Sequence, residues 1–273
     1  MNPWMAIGRS FFALALIGLG IEHLVFQEFI TGRAPEWPAA IPGRVAWASV
    51  SGVAVIATGL AILAGRRARL AAVLAGVLIF LWAFLRHLPV VATDSLLAPS
   101  WTKAGKALTF FGGALAIAAT LPREEGSRAK GLLRLVNLSG ELVLLGRVCL
   151  GIFLLITGIQ HFIYTEFVAS LIPGWFPGDA LFWTRFAGVA LIAAGAGLLL
   201  PRTARLAALL SGLMVFSWFW IVHVPRTFGG VSDKIALFEA LATCGIAFVL
   251  AGYPGGRTAP HPRCTMEPSA RNP

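Results

Sequence analysis

GRSFFALALIGLGIEHLVFQEF, residues 8–29, and GRVCLGIFLLITGIQHFIYTEF, residues 146–167, are one pattern written twice. Gly8, Arg9, Gly20, His23, Glu28 and Phe29 of the first return as Gly146, Arg147, Gly158, His161, Glu166 and Phe167 of the second. Both stretches are apolar almost throughout and lack the alternation that a barrel strand needs. At roughly 20 residues, the length of a helix that crosses a bilayer, they read as spanning helices. Further on, Arg69, Gly76, Phe80, Trp82, His87 and Pro89 return as Arg205, Gly212, Phe216, Trp218, His223 and Pro225. The two registers differ by only two residues, so one duplication accounts for both matches. Four of the five histidines thereby form two matched pairs.

The chain is 58% hydrophobic and 12% charged, whereas a soluble domain carries about a quarter of its residues charged. Eight apolar segments are expected to span, approximately at Phe11–Phe29, Val45–Leu63, Leu70–Val91, Ala104–Ala119, Val148–Phe167, Trp183–Leu200, Leu206–Val224 and Ile235–Leu250. Lipid offers the backbone no hydrogen-bond partners, so these are helices. The expected fold is an all-α integral membrane protein with eight transmembrane helices, arranged as two four-helix bundles. Each half has an even number of spans, so the halves are parallel repeats. The first repeat is set at residues 1–121, a cytoplasmic linker with a surface helix at 122–144, the second repeat at 145–252 and a disordered tail at 253–273. The first segment is a retained helix and not a signal sequence, since its copy lies mid-chain and no small-residue cleavage site follows Phe29.

Fourteen of the 22 basic residues fall before the first span, after the second, in the linker, after the sixth and in the tail. By the positive-inside bias both termini are cytoplasmic, in a bacterial inner membrane, and the paired histidines lie toward the outer leaflet. The net charge of +10 is then a basic face on anionic lipid. These charges are spread over several loops and not gathered in a recognition motif, which argues against nucleic acid as a partner. The bilayer is the primary partner, with a redox partner subunit as a further expectation.

Polar side chains inside spanning helices mark sites by default. Gly20 precedes His23 by three residues and Gly158 precedes His161 by three, which places each glycine on the histidine's helix face with room for a flat ligand. Phe84 and Trp220 stand three before His87 and His223. Glycine on one wall and an aromatic ring on the other suits a quinone or a haem. The alternative is a purely structural role, an imidazole clamping a neighbouring carbonyl. No metal site is expected, because two histidines per half without cysteine or acidic neighbours do not define a closed one. Glu22, matched by Gln160, is open to a proton relay or to pairing with Arg86, which is matched by Val222. The segments Pro35-Glu36-Trp37-Pro38 and Pro173-Gly174-Trp175-Phe176-Pro177 fold back along the outer interface, as caps or as aromatic anchors. Three cysteines, at 149, 244 and 264, form no Cys-x-x-Cys, which disfavours thiol exchange.

With a first-helix Gly-x-x-His, an outer Pro-x-Trp and a third helix ending in His and Pro, the chain resembles the DoxX-like membrane family. The likeness is clearest in HFIYTEFVASLIPGWFPGDALFWTRFAGVALIAAGAGLLL, residues 161–200. It implies four-helix units, some members being named as the membrane subunit of a thiosulfate:quinone oxidoreductase and others being associated with oxidative stress. The fused eight-helix arrangement departs from that single unit. Two functions are compatible with these residues. One is a redox-associated protein that binds quinone or haem at His23, His87, His161 and His223. The other is a carrier with a polar path between repeats, or a structural membrane subunit.

Overall fold

The computed structural model describes residues 2–30, 34–122 and 139–254. Its regular elements are all helical. The first half comprises α1 (Pro3–Phe26), α2 (Arg44–Leu63), α3 (Ala68–Trp82), the π-helical turn π1 (Ala83–His87), α4 (Leu88–Thr93) and α5 (Pro99–Thr120). The second comprises α6 (Ser139–Ile163), α7 (Thr165–Ala169), α8 (Ala180–Leu199), α9 (Ala204–Trp218), π2 (Phe219–His223), α10 (Val224–Arg226) and α11 (Val231–Gly252). Residues 139–144, assigned to the linker by sequence, are the start of α6. Most of the expected surface helix, and nearly all of the tail, lie outside the described residues.

Among the described residues, seven helices are long and apolar enough to cross a membrane. They are α1, α2, α3 running through α4, α6, α8, α9 running through α10, and α11. The remaining long helix, α5, has 22 residues, a length of about 33 Å at 1.5 Å per residue, but carries Lys103 and Lys106. Local chemistry sets the helix ends. Asn2 caps α1 by accepting from the Trp4 amide, and Pro3 takes the first turn, where its missing N–H is no loss. Asp179 caps α8 through the amides of Leu181 and Phe182.

The helices do not pair as two bundles each closed on itself. α1 packs along α2 and along α11, the last helix of the other half, while α6 packs along α8 and along α5, the last helix of the first half. Each half's fourth helix therefore completes the other half, and α5 meets α11 between them. Glycines at matched positions make these crossings. A Cβ on Gly8 would strike the Gly245 carbonyl at 2.5 Å, and one on Gly146 would strike that of Gly112 at 2.7 Å. In lipid no hydrophobic force draws helices together, so close backbone approach at small residues supplies the packing. Phe12, Leu16, Leu19, Phe110, Ile117, Leu150, Leu154 and Ile246 fill the fully buried core. Val50, Val53, Phe84, Val189 and Leu206 point outward as large apolar side chains, as a lipid-facing surface requires.

Candidate functional site

His23 and His87 come together, lining one cavity with Phe29, Ser51, Trp82 and Ala107 among others. The cavity measures about 20 Å³, on a scale where one water needs ~10–15 Å³. It admits a water-sized guest and not a quinone ring or a haem.

His23 has no free nitrogen. Its Nδ1 lies 2.7 Å from the Leu19 carbonyl, and the Ile30 amide donates to its Nε2 at 3.2 Å. A carbonyl only accepts and an amide only donates, so His23 is neutral with its proton on Nδ1. The chain reaches it by reversing at Gln27, which takes the left-handed conformation with φ 54° and ends α1 at Phe26. Phe29 then stacks flat on Trp37, with centroids 5.1 Å apart, and meets His23 edge-on. Arg86 fixes this arrangement. Its guanidinium donates to the Pro35 carbonyl and sits 5.2 Å from the Phe29 ring centroid and 5.1 Å from that of Trp37. The first Pro-x-Trp segment is thus a cap over the histidines, latched from α3's extension. Among the described residues Arg86 is engaged with Pro35, Phe29 and Trp37, and not in the pairing with Glu22 that the sequence left open.

The second half places the same residues differently. The His161 Nδ1 lies 2.7 Å from the Thr157 carbonyl, and its ring lies over Trp218 at 6.3 Å between centroids and 24° between planes. At Thr165, the counterpart of Gln27, the chain continues into α7. The Val168 amide, the counterpart of Ile30's, therefore bonds to the Tyr164 carbonyl. Among the described residues the His161 Nε2 has no hydrogen-bond partner. Phe167, the counterpart of Phe29, is 66% exposed, and Trp175 is 63% exposed. Val222 stands where Arg86 would latch the loop. His223 is half-buried at the end of π2.

The glycines and flanking aromatics act otherwise than the spacing implies. A Cβ on Gly20 would meet the Gly52 carbonyl at 2.7 Å, and one on Gly158 the Gly188 carbonyl at 2.9 Å. The missing side chains admit a neighbouring helix, not a ligand. Phe84 and Trp220 face outward, the first stacked on Phe80 and the second against Phe219. The reason is the π turn, in which the Leu88 amide reaches back five residues to the Ala83 carbonyl. This register replaces Phe84 beside the histidine by Trp82 and Ala83. Pro89 and Pro225, two residues beyond each histidine, are the available sequence signal, since proline removes the donor that would continue the α ladder.

Charge is also buried between the halves. Lys106 of α5 and Glu239 of α11 pair at 2.5 Å, with 14% and 4% of their side chains exposed. Gln160 of α6 accepts from Thr102 and donates to the carbonyls of Leu97 and Ala98, binding the second half's first helix to the entrance of α5. Glu28 follows α1 and Glu166 lies in α7, Glu28 in a half-exposed pair with Arg44 at 2.7 Å. Cys149 and Cys244 are free thiols packed among helices. No cluster of three His, Cys, Asp or Glu able to hold a metal occurs among the described residues.

A family model described as a domain of unknown function (DUF8561) matches residues 150–251, the second half from within α6 to the end of α11. No curated protein matches the chain, and no solved structure matches it.

Proposed function

We propose that this is a DoxX-like, redox-associated membrane protein whose ligand-binding histidine is His161, and that its ligand is a quinol-type hydroxylated ring entering from the lipid phase. The carrying observation is the uncommitted Nε2 of His161. With Nδ1–H held by the Thr157 carbonyl, a neutral imidazole presents Nε2 as an acceptor, and an acceptor selects a hydroxyl over a quinone carbonyl. Trp218 provides a ring wall beside it, and the exposed Phe167 and Trp175 leave the approach open. A quinol supplies two electrons and two protons when bound; His161 holds the hydroxyl proton and orients the ring. The same nitrogen, with its partner nitrogen on a carbonyl, suits axial ligation of a haem. The first-half cavity fits neither group.

Organic extraction of the purified protein tests this reading. Wild type and His23→Ala should carry quinone or quinol and His161→Ala should not; a ligand-free, colourless wild type overturns it. A second reading, a carrier with a polar path between halves, is favoured by the buried Lys106 and Glu239 pair and would show as solute flux in proteoliposomes that Lys106→Met abolishes.

In this reading α5 is an eighth span, the repeats are parallel, and both termini face the cytoplasm of a bacterial inner membrane on the distribution of basic residues. Reporter fusions after residue 254 and in the loop around Pro173 should fall on opposite sides.

A further inference from the structure

We propose that the end of the bundle at the α8–α9 turn binds the phosphodiester headgroup of an anionic phospholipid, held by Arg147 and Arg202 with Arg205 beside them. Three observations carry this, and none involves His161.

The first is a repeat and the place it folds to. Arg66-Arg67-Ala68-Arg69-Leu70-Ala71-Ala72 returns as Arg202-Thr203-Ala204-Arg205-Leu206-Ala207-Ala208, and Arg9 returns as Arg147. Three arginines thus keep matched places in both halves, whereas Glu22 against Gln160 and Arg86 against Val222 do not. Arg147 stands one turn before Gly151 on the same face of α6. A Cβ on Gly158 would meet Ile192 and one on Gly151 would meet Leu199 at 3.1 Å, so α6 and α8 run antiparallel. Arg147 therefore lies beside the turn that carries Arg202. That turn is held by its own hydrogen bonds, the Thr203 hydroxyl donating to the Gly197 carbonyl at 2.8 Å and the Thr203 and Ala204 amides to the Leu200 carbonyl. Arg205 follows at the end of α11, its Nε donating to the Ala251 carbonyl at 3.3 Å.

The second is charge. Arg147 and Arg202 make no ion pair among the described residues, and the Arg147 Nε is buried without a hydrogen bond. In the segments that meet here, residues 139–151, 196–208 and 245–254, the one carboxylate is that of Glu141, which is exposed. Six residues before Arg147, it points about 120° away round α6. A guanidinium donates and cannot accept, so the guest must accept. Two such forks favour the paired free oxygens of a phosphodiester over a water.

The third is the apolar surface beside the arginines. Leu200 and Leu206 are exposed, and α6, α8 and α9 running through α10 are each long and apolar enough to span. The ends of such helices stand at headgroup level. A phospholipid covers both the arginines and the leucines; a free phosphate covers the arginines alone.

Native mass spectrometry of the full chain in detergent, titrated with dioleoyl phosphatidylglycerol or dioleoyl phosphatidylcholine, tests the assignment. Wild type should hold phosphatidylglycerol the more tightly, by about tenfold. Arg147→Gln and Arg202→Gln should each remove most of that preference, and Arg202→Lys should restore only part of it, because an ammonium keeps the charge and lacks the fork. Arg67→Gln, which removes the same charge at the counterpart of Thr203, should leave the preference unchanged, as should His161→Ala. Arg202 is exposed, so its variants give the answer even where Arg147→Gln fails to fold. Equal retention of the two lipids overturns the proposal. So does an equal loss in Arg67→Gln and Arg202→Gln, the signature of bulk charge, or displacement of the lipid by millimolar inorganic phosphate.

Discussion

The two halves begin from the same Gly-x-x-His helix and reach opposite outcomes at one imidazole. In the first, Gln27 turns left-handed and the chain folds back, so that the Ile30 amide occupies the second nitrogen of His23. In the second, Thr165 stays helical, the corresponding amide is spent within α7, and the second nitrogen of His161 is left open. Arg86 then latches the first cap, and Val222 provides no latch for the second. The π1 turn buries Ala83, Arg86 and His87, whereas no residue of π2 is buried. Two segments of similar sequence thus end, one at a small polar cavity and the other at a more exposed ring wall, through backbone direction at one position and side-chain chemistry at another.

The largest effect is expected where matched positions carry opposite charge. Counting from the matched crossings at Gly112 and Gly245, Lys106 and Glu239 occupy equivalent places in α5 and α11. Lys106→Met, which leaves a buried carboxylate without its cation, should cost about 3–5 kcal/mol in detergent unfolding. Adding Glu239→Met should recover most of the loss. Equal stability of the single variant and wild type would show that the pair does not hold the halves together.

His23→Ala should cost about 2–3 kcal/mol, from two lost hydrogen bonds and the space left behind. His161→Ala should cost about 1 kcal/mol or less. Melting curves of the two variants side by side measure the asymmetry directly, and equal losses would break the comparison. Arg86→Ala should cost about 1 kcal/mol net, because the lost cation–π and hydrogen-bond contacts are offset by removing a buried charge. Its clearer signature is faster amide exchange in residues 34–41, with no change in residues 170–178. The smallest effect is expected at Gln27. Gln27→Gly should gain about 0.5 kcal/mol by relieving the left-handed backbone, whereas Thr165→Gly should lose about 1 kcal/mol from helix propensity.

Much of this was legible in the residues. Apolar segment lengths place the long helices to within a few residues, and the repeat places the four histidines. His23 and His87 do meet, and the first Pro-x-Trp segment does cover them. The assignments of the flanking aromatics and of the end of the first helix fail for one cause, the use of a 3.6-residue face across a segment that does not keep it; those of Gly20 and Gly158 fail because a neighbouring helix takes the space. Phe84 and Trp220 turn outward because π1 and π2 shift the register, and α1 stops at Phe26 because Gln27 reverses the chain. The role of Arg86 is unreadable locally, since its partners Phe29, Pro35 and Trp37 come from another part of the chain.

By itself the sequence determined that helices form and where they run, because hydrophobicity and backbone hydrogen bonding in lipid are properties of each segment alone. It also determined that small residues recur along them. Which small residues meet is a property of pairs of segments, and only the tertiary structure decided it. Gly8 faces Gly245 and Gly146 faces Gly112, so each half is completed by the other's last helix, and the Lys106 and Glu239 charges are brought together between them. Whether an imidazole is closed or open follows in the same way, from where a neighbouring amide is carried by the fold.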